Sequence, residues 1–335
     1  MMPSAGRYWP ALDQALREAI TLAPQAPGFQ RLLEYPMGWV DADGKATEES
    51  GGKRIRPLLL LSCAEAAGGS WQTALPAAAA VELLHNFSLI HDDIEDASPL
   101  RHGRMALWKQ WGVASAINAG DAMFALSYAA LTRLRGCVPD DLSLRALDIF
   151  CQANLDLTRG QHLDIRFETQ PDVTADEYLT MIEGKTASLL AVSAELGALI
   201  GSGNDVIASH YRAFGFNLGM AFQIRDDILG IWGDPTLTGK SAATDILARK
   251  KSLPVLYGLE RSPALRELYA RESFGEAETR EAVRLLDSLD ARGHAASFER
   301  NYHQRALDAL HAARPAEPAA TELRGLLDAL LGRIA

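Results

Sequence analysis

The stretch Leu83–Arg104, LLHNFSLIHDDIEDASPLRHGR, decides how this chain is read. An apolar run ends in Asp92, Asp93 and Asp96, and Arg101, His102 and Arg104 follow at once. Leu83, Phe87, Ile90 and Ile94 recur at spacings of four, three and four, which is one stripe of a helix. Leu84, Ser88, Asp92 and Asp96 form a second stripe, so Asp92 and Asp96 project together. Two carboxylates on one face each resist ionising beside the other. A solvated acidic helix end is the plainest reading, but the helix macrodipole disfavours carboxylates at a C-terminus. A divalent cation removes the conflict, and the nearby arginines point to a phosphate-bearing ligand that arrives with it. One and two turns below Asp92 lie Ser88 and Leu84, with Phe87 alongside, so a pocket descending from the cation is expected to be largely apolar.

The helical period continues on both sides of this stretch, and alternating β-branched runs are scarce, so the expected fold is all-α. Helices are expected near Tyr8–Leu22, Phe29–Tyr35, Pro57–Ala67, Leu75–Asp96, Ala114–Arg135, Leu142–Phe167, Thr174–Ile200 and Val206–Trp232, with more, looser ones beyond Ser262. Prolines and glycines punctuate them: Pro76 in a first turn, Gly68 and Gly69 past an end, Pro99 as a stop. Ala114–Arg135 is apolar enough to be buried all round, against the core or a partner subunit. No linker divides the 335 residues, so a single domain is expected.

Composition excludes several classes. Hydrophobic residues make up 48%, which argues against extended disorder. The net charge of −10 makes a nucleic-acid partner a poor fit. Cys63, Cys137 and Cys151 show no CxxC spacing and read as reduced, buried thiols. No basic and apolar leader opens the sequence, and no continuous apolar run reaches the roughly 18 residues of a membrane span. A cytoplasmic protein is expected.

Further motifs complete the chemical pattern. QIRDDILG, Gln223–Gly230, puts Asp226 and Asp227 at a second acidic helix end, with Gln223 one turn earlier. Two such ends can hold several cations. Lys53, Arg54 and Arg56 cluster before a helix N-terminus, where backbone N–H groups also favour anions. Lys185 and Thr186 interrupt an apolar helix, and a lysine there either snorkels or faces an anion. Lys240, Lys250 and Lys251 follow the second acidic end and taken singly are surface lysines. Together these groups suit a ligand with a polyanionic head and a hydrocarbon tail.

GGKRIRP, ELLHNFSLIHDDIED, RHGR, EGKTASLL, FQIRDDILG, GDPTLTGK and KKSLP occur in the order seen in the trans-isoprenyl diphosphate synthases (polyprenyl synthetases), which the chain resembles over about Gly51–Leu259. The resemblance implies a helical bundle around a deep central cavity, a homodimer, and magnesium, three ions per active site. It implies that the enzyme condenses isopentenyl diphosphate with an allylic diphosphate. Carried over by motif, Asp92, Asp96 and Asp226 would bind magnesium bridged to the allylic diphosphate, with Asp93 and Asp227 in support. Arg101, Lys185, Gln223, Lys240 and Lys250 would hold that diphosphate. Lys53, Arg56, His85 and His102 would hold isopentenyl diphosphate. Lys185, Thr186 and Gln161 would face the developing allylic cation. Phe87, Ser88 and Leu84 would limit chain growth, and an aromatic beside a small residue resembles synthases that stop at geranylgeranyl diphosphate.

Three positions depart from the family's pattern. His102 stands where a second arginine is usual, Met105 replaces a frequent proline, and Gly230 replaces the third aspartate of the second motif. Arg104 is a candidate substitute for the missing arginine. A terpene cyclase on the same fold would need no site for isopentenyl diphosphate, which GGKRIRP and His85 argue against. A weakly active regulatory subunit would rest on His102 and Gly230 alone.

Overall fold

Proline and apolar spacing set where the helices begin. The computed structural model describes residues 5–47, 52–233 and 243–331. After a short 3-10 turn come α1 (Trp9–Ile20), α2 (Phe29–Glu34) and α3 (Ile55–Ala66). Next are α4 (Leu75–Glu95), α5 (Leu107–Trp111), α6 (Val113–Thr132) and α7 (Asp140–Thr169). Then follow α8 (Ala175–Ile182), α9 (Ser188–Ser202), α10 (Asp205–Trp232) and α11 (Thr244–Leu247). The series closes with α12 (Leu253–Arg261), α13 (Pro263–Tyr269), α14 (Glu276–Ser288), α15 (Ala291–Ala312) and α16 (Ala319–Leu331). Proline lies in the first turn of α1, α4, α12 and α13, where its missing N–H leaves no bond unmade.

Contacts gather the chain into two compact units. The first comprises residues up to Asn154 with Val192–Arg212 and Leu310–Gly325; the second comprises Leu155–Ala191, Ala213–Ala309 and the residues from Leu326 on. In the first unit α4 packs along α6, with α3 and α1 also against it. The alanines of α4, Ala77–Ala80, are buried and let these neighbours approach, and Leu83 and Leu84 are fully buried. Each such leucine contributes roughly 1.5–3 kcal/mol of apolar burial. In the second unit Phe167, Tyr178, Met181, Ile224, Ile228 and Leu253 form one core, which draws α8, α10 and α12 together.

Two features lie outside the expected pattern. The run Thr174–Ile200 is helical almost from its first residue, as expected, but not α throughout. Thr174 caps α8 through a box with Glu177, and a π-helical turn, Glu183–Ala187, then precedes α9. The turn is pressed against α7: a Cβ at Gly160 would lie 2.0 Å from Lys185 N, and one at Gly184 2.5 Å from Asp156 O. Only glycine permits that approach. RHGR is a β-hairpin, β1 (Leu100–Arg101) against β2 (Arg104–Met105). His102 and Gly103 turn it with φ of 53° and 79°, as a two-residue hairpin turn requires.

Trp71–Glu95 is long and apolar enough by composition to cross a membrane, although Glu82, His85 and Asn86 interrupt its apolar run. Most of it is buried inside the protein, where its apolarity serves the core. Of the cysteines, Cys63 is buried, Cys151 half-buried and Cys137 exposed, and all are free thiols, so burial holds fully only for Cys63. Burial pushes the Cys63 thiol well above the ordinary thiol value.

Candidate active site

The first unit carries one set of candidate groups at the end of α4. Asp93 is buried at 4% exposure, whereas Asp92 is half-buried and Asp96, the C-cap residue, is exposed. β1 projects Arg101 onto this end: its Nε donates to Asp93 Oδ1 at 2.9 Å and its Nη2 to Asp92 Oδ2 at 3.2 Å, with a second, short contact to Asp93. Burial pushes the Asp93 carboxyl above the usual range, and Arg101 opposes this. Burial also works against the Arg101 charge, but Asp93 and Asp92 more than restore it. The pair is ionised, because arginine does not lose its proton in proteins and its fork meets the carboxylates directly.

The basic segment before α3 divides. Arg54 is buried and donates to Asp13 Oδ1 at 3.1 Å and to Met37 O at 3.2 Å, so it ties the segment to α1. Lys53 is exposed. Arg56 Nη1 lies 3.0 Å from His85 Nε2, which makes that nitrogen the acceptor and places the His85 proton on Nδ1. Burial lowers the Arg56 guanidinium to about 10, opposed by the buried Glu82. Burial, then Arg56, Arg101 and His102, pushes His85 well below the ordinary imidazole value. His102 is lowered by burial and then by Arg101, with Asp93 opposing. Its Nε2 would lie 3.4 Å from a Cβ on Gly52, so the hairpin turn brings His102 to the GGKR segment. Arg104 lines the same cleft as Asp93, Arg101 and His102. It donates to Tyr35 O at 3.0 Å and Val40 O at 2.6 Å and lies over the Tyr35 ring, clamping the loop after α2. A cleft here is lined by Tyr35, Asn86, Asp93, Arg101, His102 and Met105.

His85 carries a pH dependence with a definite sign. It is neutral in the fold but takes a proton near its ordinary value when unfolded. The unfolded state therefore binds more protons below about pH 6.5, and stability falls as pH is lowered through that range. His85→Gln is expected to lose less stability than the wild type between about pH 7 and pH 5, by up to about 1.4 kcal/mol per pH unit over the span that this histidine governs. Urea midpoints across that range measure it, and identical slopes for the two proteins would remove His85 as the cause.

Of the three residues assigned to chain length, Leu84 is wholly inside the core, while Phe87 and Ser88 are half-buried. Ser88 Oγ donates to His85 O at 2.8 Å. Phe87 begins an aromatic ladder: its ring centroid is 5.1 Å from Phe124, Phe124 is 5.1 Å from Tyr128, and Tyr128 is 5.2 Å from Phe150. Such edge contacts hold each ring against its neighbour.

The second unit carries the other set, built around Asp227. This carboxylate is 1% exposed. Tyr178 OH donates to its Oδ2 in a short bond, Gln223 Nε2 donates to Oδ1 at 3.1 Å, and Lys250 Nζ lies 3.5 Å from Oδ1. Asp227 raises the Lys250 ammonium above the ordinary lysine value although burial opposes it. Burial, then Asp227, raises the Tyr178 phenol well above its ordinary value. Asp226, the next residue on α10, is half-buried and lies about 100° round the helix, as 3.6 residues per turn requires. The π-helical turn supplies Lys185 and Thr186. Lys185 forms a short ion pair with Asp164 of α7, and Gln161, half-buried, is one turn before Asp164. Thr186 Oγ1 donates to Gln223 Oε1 at 2.7 Å. Lys251 is set apart: its Nζ donates to Phe167 O at 2.6 Å and to Gln170 O, so it is structural. Lys240 lies outside the described residues, as do all of 234–242.

Four residues join these two sets that motif spacing did not pick out: Glu82 behind Arg56 in the first, and in the second Asp164 on Lys185, Tyr178 on Asp227, and Asp245, whose Oδ2 is 4.0 Å from Lys250 Nζ. Tyr178 had a signal, since a tyrosine in an apolar helix needs a partner for its hydroxyl. Glu82 and Asp164 pair with residues more than twenty positions away, and Asp245 meets Lys250 across the turn that follows α11.

Among the described residues, no three histidine, cysteine or acidic side chains converge as an all-protein metal cage. Magnesium keeps several waters and takes one or two carboxylates plus substrate phosphates. The half-buried Asp92 and exposed Asp96 in one unit, and Asp226 in the other, are oxygen donors of that kind.

The sequence profile of the family described as "Polyprenyl synthetase" matches residues 39–286. The chain is 43% identical over 231 residues to the (2E,6E)-farnesyl diphosphate synthase of Mycobacterium tuberculosis (strain ATCC 25618 / H37Rv); the match covers 69% of this chain and 63% of that protein. It is 34% identical to the geranylgeranyl diphosphate synthase of Methanosarcina mazei, covering 85% of this chain and 87% of that protein. A polyprenyl synthetase from Streptomyces coelicolor A3(2) has a similar structure, with a TM-score of 0.89, 34% identity and coverage of 99% of this chain and 100% of that one. With a profile match over most of its length, and the motif residues held by the contacts above, the chain belongs to the polyprenyl synthetase family.

Proposed function

We propose that this protein is a magnesium-dependent trans-prenyltransferase that joins isopentenyl diphosphate to an allylic diphosphate, with geranylgeranyl diphosphate as product. One observation carries this reading: two acidic helix ends, at Asp92 and at Asp226, each accompanied by its own cationic side chains. Magnesium, when bound, supplies positive charge to the diphosphate that leaves the allylic carbon. The side chains do the rest. Arg101, Lys185, Lys250 and Gln223 hold the allylic diphosphate. To do so Arg101 exchanges its contacts to Asp92 and Asp93, and Lys185 its contact to Asp164, for phosphate oxygens. Lys240 belongs to the same set by motif. Lys53, Arg56, His85 and His102 bind the diphosphate of isopentenyl diphosphate. Neutral His85 and His102 offer hydrogen bonds there, and Lys53 and Arg56 supply charge. Thr186 gives its proton to Gln223, so its lone pairs remain to face the allylic cation together with Gln161. The double bond of isopentenyl diphosphate attacks that carbon, and a proton is then lost to the departed diphosphate. A second copy of the chain is the expected partner, and Val113 and Ile117 on α6 are exposed apolar residues that suit it.

Incubation with labelled isopentenyl diphosphate, magnesium and each allylic diphosphate tests the reading. A longer prenyl diphosphate is expected, and no incorporation of label would refute it. Phe87 is the proposed floor of the tail cavity, held by the ladder through Phe124 and Tyr128. Phe87→Ala is expected to shift the main product longer by at least one isoprene unit. Sizing the products decides, and an unchanged product would remove Phe87 from that role.

A further inference from the structure

The second acidic helix end has no side chain where its spacing calls for a carboxylate. Asp226 and Gly230 are four apart on α10 and share a face. The space over Gly230 is nevertheless filled. A Cβ built there would lie 2.3 Å from Asp245 Oδ2, 2.6 Å from Asp245 Cγ and 3.0 Å from Oδ1. Asp245, in the first turn of α11, thus puts its carboxylate where residue 230 would have carried its own. A Cβ at that position would itself lie about 5–6 Å, one helical turn, from the Cβ of Asp226. The same carboxylate is 4.0 Å from Lys250 Nζ, which also meets Asp227.

We propose that Asp245 is the carboxylate that the second motif lacks: it reaches the Asp226 face across Gly230, sets Lys250, and completes with Asp226 the oxygen set for the divalent cation. The proposal rests on the reading of Asp226 as a cation ligand. A purely structural Asp245 would need only Lys250 and the positive end of α11. Glycine inside a helix is less favourable than alanine unless another group needs the space, and at Gly230 that group is the Asp245 carboxylate. Asp227, next to Asp226, cannot serve: it is buried and already holds Tyr178, Gln223 and Lys250. Two carboxylates with waters and phosphate oxygens are what magnesium accepts.

The test titrates the full-length protein with Mn2+ in the presence of inorganic pyrophosphate, with free Mn2+ read by electron paramagnetic resonance. Asp245→Asn is expected to weaken Mn2+ binding by about tenfold or more. Gly230→Ala removes no charge but displaces the Asp245 carboxylate, and it is expected to give the same loss. The swap Gly230→Asp with Asp245→Ala returns the carboxylate from α10 itself and is expected to recover most of the affinity. Asp226→Asn is the control. If it abolishes binding while Asp245→Asn and Gly230→Ala bind as the wild type does, the role of Asp245 is overturned and the cation reading stands. If Asp226→Asn binds normally, the cation reading fails and the proposal fails with it. Far-ultraviolet circular dichroism checks folding, and should Asp245→Asn not fold, Gly230→Ala and the swap decide.

Discussion

Replacing Asp227 with alanine is expected to lower the stability of the protein by about 3 kcal/mol, far more than the same change at its neighbour Asp226. Asp227 is 1% exposed and accepts from Tyr178 and Gln223 while meeting the Lys250 charge. Its removal leaves the fully buried Tyr178 hydroxyl without that acceptor, a loss of about 1–3 kcal/mol. It also leaves Lys250 without its largest source of charge stabilisation. Breaking a buried ion pair costs about 3–5 kcal/mol, but the Lys250 side chain is 40% exposed and water screens part of that. Equilibrium urea denaturation measures the difference. A loss below about 1 kcal/mol would show that the three partners rearrange without strain and that Asp227 is not their anchor.

At Asp92 the balance is reversed. Asp92→Asn is expected to reduce kcat by about 10³-fold, since it removes charge that should act only on the leaving diphosphate. Stability should hold or rise. Asp92 contributes one Arg101 contact at 3.2 Å, Arg101 keeps its closer bond to Asp93, and like-charge repulsion at the helix end is relieved. Single-turnover rates at saturating magnesium, set beside a thermal melt, separate the two effects. A kcat within about tenfold of the wild type would take Asp92 out of the cation site.

Asp226 and Asp227 show how far the sequence could be read. The motif marks both, and its spacing aligns Asp226 with Gly230. Which of the two is consumed in the core is decided by Tyr178, distant in the chain and met only in the fold. The all-α class, the ends of α4 and the acidic helix ends were legible because helical period, proline and glycine act within a few residues. The π-helical turn was not, because one extra residue in an apolar run leaves the hydrophobic pattern almost unchanged. The hairpin His102–Gly103 was not, because two-residue strands are too short to show alternation.

Among the basic residues the sequence placed Lys53, Arg54 and Arg56 together and Lys250 beside Lys251. It could not say that Arg54 and Lys251 are the two that turn inward, to the main chain and to Asp13. The sequence by itself determined the family, the helices and the chemical type of each candidate group, since these depend on local spacing and side-chain identity. Only the tertiary structure decided which charges pair and which carboxylate, Asp227, is sealed in. It also showed that Asp245 fills the space over Gly230. Burial and distance between remote elements set charge and proton affinity, and neither quantity exists until the chain has folded.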